Sequence, residues 1–185
     1  MTIAVIETTL EEFLNLTYID ESPAWEYING KAVQKPMGGG QHSLLQKRLI
    51  AAIDGSSSNY EAFPELRCTI GNRSVVPDVI VLAIDQLPLD ENGDIVSTGI
   101  EFAPSWVIEI LSPNQNQTKV TGNILHCLKH GSNLGWLIDP NENSILVYQP
   151  NNLPDLLSGT DILPVLEGIN LSLCVDHVFA WLKRR

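Results

Sequence analysis

The chain lacks any apolar run near the ~18 residues needed to cross a bilayer. Residues Met1 to Leu10 carry no basic start followed by a long apolar block and a cleavage site. A membrane-spanning or exported protein is therefore not expected, and the reading is cytoplasmic with no membrane partner. Cysteine is scarce. Cys68, Cys127 and Cys174 are odd in number, share no C-x-x-C spacing and sit among apolar neighbours, which points to buried thiols and away from a disulfide framework or a zinc cluster. Positive charge is scarce as well: 11 Lys and Arg stand against 22 Asp and Glu, for a formal charge of −11. Non-specific nucleic-acid affinity comes mostly from Lys and Arg on phosphates, so this balance counts against a general nucleic-acid coat. It still allows one basic groove, or an acid cluster neutralised by bound cations. The G-x-S-x-G elbow and the G-x-G-x-x-G loop are missing, and Gly38-Gly39-Gly40 lacks the Gly-Lys-Ser/Thr ending of a P-loop. These absences remove the common hydrolase and dinucleotide-oxidoreductase readings.

What is present is a folding chain. Its 185 residues, 44% of them hydrophobic and spread along the whole length, predict one α/β domain over residues 1–185 with a single core. Thr8 or Thr9 can cap a short helix through Leu16, with Glu11 and Glu12 in its first turn. Trp25 to Ile28 and Lys31 to Gln34 flank Asn29-Gly30, a dipeptide suited to the positive φ angles of a two-residue hairpin turn. A second helix from about Gln41 to Ile53 follows the three glycines, with Leu44, Leu45, Leu49 and Ala52 at helical spacing. Residues 60 to 82 read as two strands around Gly71-Asn72, the second running from Val75 to Leu82, and residues 83 to 104 read as a surface excursion. Trp106 to Leu111 reads as a central strand, followed by a helix over about Thr118 to His130 that Gly131 stops. Leu134 to Asp139 and Ser144 to Tyr148 form a further strand pair. Residues 149 to 164 read as loop, and Val175 to Leu182 as a C-terminal helix.

Two carboxylates interrupt otherwise apolar strands: Asp78 within Val75 to Val81, and Glu109 within Trp106 to Leu111. A buried, unpaired carboxylate must be neutralised by proton uptake or by a cation, and two side by side repel each other. A hard divalent ion answers both demands. Mg²⁺ or Mn²⁺ takes oxygen ligands and keeps several waters, so two carboxylates and a main-chain carbonyl suffice as the protein's share. Such an ion suits phosphodiester hydrolysis. The alternative is that each acid faces solvent at a strand end or pairs with Arg67 or Arg73.

Pro77-Asp78, followed by Glu109-Ile110-Leu111-Ser112-Pro113, resembles the PD-(D/E)XK nuclease superfamily, in particular its Uma-type family, known as domain of unknown function 820. The resemblance extends over nearly the whole chain. It includes Glu26 with Gly30, His42 at the start of the second helix, and Gly135-Trp136-Leu137-Ile138-Asp139-Pro140. It implies a restriction-endonuclease-like mixed β-sheet flanked by helices, with Asp78 and Glu109 as ligands of Mg²⁺ or Mn²⁺, and DNA as the partner. One departure stands out: where the superfamily's lysine would lie two residues after the glutamate, this chain has Leu111. The Uma-type substitute on the following helix aligns with Asn123, and Lys119 lies one turn earlier on the same face. Lys119 is either the migrated lysine, orienting the attacking water or stabilising the leaving phosphate, or a solvated lysine near a helix start.

By its family position Glu26 assists as a third carboxylate or through a metal-bound water; otherwise it is a hairpin acid facing solvent. His42 and Asn123 are assigned to substrate binding, with capping or packing as the alternative for His42. His126 and His130 have the four-residue spacing of zinc ligands but no third partner, which favours a mixed polar face. Glu65 either joins the acids or pairs with Arg67. The leading reading is a metal-dependent endonuclease in which Asp78, Glu109, Lys119 and Glu26 carry the reaction, with a homodimer suited to duplex cleavage. The competing reading is a non-catalytic protein-interaction or nucleic-acid-sensing module that has lost the lysine.

Overall fold

The structure is a computed structural model and describes residues 5–96, 98–113 and 115–183. Two sheets carry the architecture. The first is antiparallel, in the order β1 (Val5–Glu7), β3 (Lys31–Gln34), β2 (Trp25–Ile28), β6 (Arg73–Val75), β5 (Cys68–Ile70). The second runs β11 (Asp155–Ser158), β10 (Ser144–Tyr148), β9 (Leu134–Asp139), β8 (Trp106–Ile110), β7 (Val79–Ala83), β4 (Tyr60–Pro64). It is mixed, since β8 and β9 are parallel and the other pairs antiparallel.

Local signals account for most elements. Asn29 and Gly30 hold φ values of 52° and 80° between β2 and β3, the left-handed pair a tight hairpin requires. The helix α1 (Leu10–Leu14) starts with a reciprocal capping box between Thr9 and Glu12. The Asn116 side chain accepts from the Thr118 and Lys119 amides at 2.9 and 3.3 Å and so opens α3 (Gln117–Lys129).

The second sheet is covered on both faces. Leu45, Leu49 and Ile53 of α2 (Gly40–Asp54) and Val178 and Phe179 of α4 (Val175–Ala180) pack with Val79, Trp106, Ile108, Ile110 and Trp136. Within this layer the rings of Trp106 and Trp136 meet edge to face, 4.6 Å between centroids. On the opposite face Val120, Ile124 and Cys127 of α3 pack with Ile80, Val107, Leu111, Leu137 and, from the first sheet, Cys68, Ile70 and Val75. A Cβ on Gly135 would collide with the Ile124 side chain, so the glycine of the Gly-Trp pair sets how closely α3 lies on β9.

Two expectations are corrected. Residues 60 to 82 hold four strands, not two: β4 and β7 lie in the second sheet and β5 and β6 in the first, so that β6 ends at Val75 and β7 begins at Val79. Val76-Pro77-Asp78 carries the chain from one sheet to the other, and proline, with no N–H to give a ladder, falls in that step. Residues 149 to 164 are not all loop, because Asp155–Ser158 adds an edge strand to β10.

Candidate functional site

The sheet change places Asp78 at the mouth of β7. In the antiparallel pairing of β7 with β8, Val79 lies opposite Ile108, so Asp78, one step back, comes level with Glu109. Side chains alternate along β8. Ile108 and Ile110 therefore face α2, and Glu109 shares the α3 side with Val107 and Leu111. Both acids are 2% exposed. The Ile110 amide also donates to Asp78 Oδ2 at 2.7 Å, a direct tie between the two strands.

The partner of Asp78 is Lys35, at the exit of β3. Its ammonium donates to Asp78 Oδ1 at 2.8 Å and to the Val76 carbonyl. His42, in the first turn of α2, brings Nε2 to 3.0 Å from Asp78 Oδ2. Gly38 makes this approach possible, since a Cβ there would stand 2.7 Å from His42 Nδ1. Gln46, one turn along α2, donates to the Asp78 main-chain carbonyl at 2.7 Å. Burial by itself would push the Asp78 carboxyl up, but the Lys35 charge and the His42 hydrogen bond outweigh it and hold the group well below the usual carboxylate range. Lys35 shows the mirror image. Burial works against its charge, and the carboxylates of Asp78, Glu109 and Glu26 overcome it and raise the ammonium above its ordinary value.

Glu109 has weaker company, the Asn123 side chain with the more distant Lys35 charge. Its Oε1 is buried without a hydrogen-bond partner. Burial, then the charges of Asp78 and Glu26, push its carboxyl well above the ordinary value, with Lys35 pulling the other way. The Asn123 Oδ1 atom is likewise buried and partnerless. The Asn123 amide nitrogen donates to Glu26 Oε1 at 3.2 Å, as does the Val76 amide at 3.2 Å, and Lys119 Nζ lies 3.1 Å from Glu26 Oε2. Glu26 is 2% exposed and is therefore not a hairpin acid facing solvent. Lys119 spans from the start of α3 to this acid, its side chain partly exposed.

The six residues assigned site roles from the sequence, Asp78, Glu109, Glu26, Lys119, His42 and Asn123, thus gather where the two sheets meet. His42 and Asn123 are each bonded to a carboxylate, His42 to Asp78 and Asn123 to Glu26. The residues not foreseen are Lys35 and Gln46. A faint signal for Lys35 existed, because it is the single lysine of residues 32–46 and precedes Pro36 and the three glycines.

The arginines are occupied elsewhere. Arg67 binds Asp20 at 2.7 Å, the carbonyls of Ile19 and Trp25, and Ser74, while its guanidinium lies over the Phe13 ring. It pairs with neither Asp78 nor Glu65. Arg73 donates to the Gly122 carbonyl of α3 and to Asn29. His126 hydrogen-bonds the Ile70 carbonyl and His130 the His126 carbonyl, each at 2.8 Å, so the zinc-like spacing serves main-chain contacts. The three cysteines are buried and unbridged, and burial pushes the Cys127 thiol to about 12.

Among the described residues, no group of three or more His, Cys, Asp or Glu side chains is placed to hold a metal ion together. Mg²⁺ and Mn²⁺ ask less, one or two carboxylates with water completing the shell. The orphaned Glu109 Oε1 beside Asp78 fits that demand, with one competitor: Lys35 already sits on Asp78 Oδ1.

The family described as "Putative restriction endonuclease" (Uma2) matches residues 10–176. The chain belongs to this family. A crystal structure of a putative nuclease of the same DUF820 group, from Anabaena variabilis, superposes with a TM-score of 0.90 at 45% sequence identity, covering 95% of this chain and 99% of that one. Among curated proteins none matches. This Uma2 chain therefore has a nuclease-type fold, and its acid cluster lies where two sheets and two helices meet. No described helix is long and apolar enough to cross a membrane.

Proposed function

We propose that this Uma2 chain is a divalent-metal-dependent endonuclease that hydrolyses phosphodiester bonds of DNA. The observation that carries the reading is the level placement of two buried acids on neighbouring strands, one of them with a partnerless oxygen, inside a ring of donors. Asp78 and Glu109 would hold Mg²⁺ or Mn²⁺, which would lower the pKa of a bound water and offer positive charge to the phosphate.

The chain's own residues do the rest. Glu26 anchors Lys119 at the rim. With a side chain 29% exposed, against 9% for Lys35, Lys119 is the cluster's cation that faces incoming substrate. It meets the phosphate or orients the attacking water from there. His42 holds the Asp78 carboxylate by its Oδ2 edge, and Asn123 holds Glu26, so both bear on substrate through the acids. A homodimer would present two such sites to the two strands of a duplex.

A second reading has its own observation. Both Asp78 oxygens already receive donors, as they would in a module that kept the fold and gave up catalysis. Plasmid DNA incubated with Mn²⁺ at low salt, so that weak phosphate contacts are not screened, separates the two. The nuclease reading expects nicking and linearisation by the wild type and none by Asp78→Ala. Equal, background cleavage by both would favour the non-catalytic module.

A further inference from the structure

We propose that Lys35 is an exchangeable internal counter-ion, its ammonium holding the place beside Asp78 Oδ1 that a divalent cation takes, so that cation binding and Lys35–Asp78 pairing exclude each other. The inference rests on the reading of Asp78 and Glu109 as a cation site, and it concerns what fills that site when no ion is there.

The geometry around Lys35 is that of a seated ion. Its backbone is pinned by an amide hydrogen bond to the Ala24 carbonyl at 2.8 Å. From there the stem delivers the ammonium to one carboxylate oxygen and one main-chain carbonyl, Asp78 Oδ1 and Val76 O. A carboxylate with a main-chain carbonyl is a hard-cation donor set, the kind that Mg²⁺ or Mn²⁺ prefers. An ammonium is a compact point charge with three donors and no acceptor, which lets it substitute for a cation in such a set.

The substitution is incomplete. Lys35 satisfies Asp78, while Glu109 Oε1 stays buried without a partner. One positive charge on a tether bonds one acid; a free ion of charge two would answer the demand of both. Room for the exchange exists next door. A cavity of about 40 Å³ borders Lys35, His42, Asp78, Ser112 and Gln115, space on the scale of one water and enough for a displaced ammonium group to turn into. The lysine stem has the rotamer freedom to make that turn.

Isothermal titration of the full chain with Mn²⁺ tests the exchange in three proteins: wild type, Lys35→Met and Lys35→Arg. Lys35→Met should bind Mn²⁺ at least tenfold more tightly than wild type, because the competitor is gone. Lys35→Arg, which keeps a cation, should stay near wild type. Affinity of Lys35→Met equal to or weaker than wild type, or no binding at all, would overturn the proposal. Wild-type protein gives an independent readout should Lys35→Met fold poorly. Acetic anhydride labelling, followed by peptide mass spectrometry, should modify Lys35 at least fivefold faster with excess Mn²⁺ than with EDTA, relative to the exposed Lys47. An unchanged ratio would sink the exchange. Tighter Mn²⁺ binding by Lys35→Met together with no DNA cleavage by wild type would keep the counter-ion and reject the nuclease.

Discussion

The two acids at the centre of this molecule stand side by side and live under opposite conditions. Asp78 receives Lys35 on one oxygen and His42 with the Ile110 amide on the other, whereas Glu109 keeps a buried oxygen with nothing bonded to it. The contrast follows from position. Asp78 lies in the step between two sheets, where the ends of β3 and α2 can both reach it; Glu109 lies inside a central strand, on the face it shares with Val107 and Leu111. A fold that spends its donors on one acid leaves the other as a demand for positive charge, which is the physical basis for a cation site here.

The largest break of this asymmetry comes from Asp78→Ala. Removing one partner of a buried pair leaves the Lys35 ammonium without its hydrogen-bonded carboxylate, at a cost of about 3–5 kcal/mol, readable as a fall in the urea midpoint. Mn²⁺-dependent cleavage should vanish with it. Glu109→Gln should do the reverse for stability in metal-free buffer, by removing a carboxyl that the Asp78 and Glu26 charges oppose, while also abolishing cleavage. A loss of stability in Glu109→Gln would show that repulsion among the acids does not dominate at this position.

The same contrast fixes a pH dependence with a sign for each acid. The folded-state pKa of Glu109 lies above its ordinary value, so between the two the folded chain binds more protons than the unfolded one, and stability falls as pH rises. Asp78 is depressed, so its contribution is present above the ordinary aspartate range and is lost as pH falls toward its folded value. Urea midpoints of metal-free wild type should therefore decline from mildly acidic toward neutral pH, and Glu109→Gln should flatten that decline. The smallest stability effect belongs to Lys119→Ala. Glu26 keeps its Asn123 and Val76 donors when the ammonium is gone, yet cleavage should drop roughly 100-fold if Lys119 meets the phosphate. Full activity in that variant would reject the migrated-lysine role.

Much of this arrangement was legible in the residues. Asn29-Gly30 announced its hairpin, and β9 and β10 begin and end where period and punctuation put them. Asp78 and Glu109 were visible because a charge inside an apolar run is costly and needs a reason. What escaped was long-range. The split of Val75 to Leu82 between two sheets depends on which partners the flanking strands find, and no local pattern encodes that. Lys35 was missed for the same cause: it sits 43 positions from Asp78 in the chain, in a Lys-Pro step that reads as solvated until the two sheets are docked. The edge strand β11 was hidden by the prolines and asparagines around it, which local propensity scores as loop.

The most direct measurement is calorimetric titration of Mn²⁺ into metal-stripped wild type and Glu109→Ala, with no nucleic acid present. If two neighbouring acids form a cation site, wild type takes up one ion per chain and Glu109→Ala takes up none. Absence of binding heat in wild type, or the same isotherm for both proteins, would contradict it.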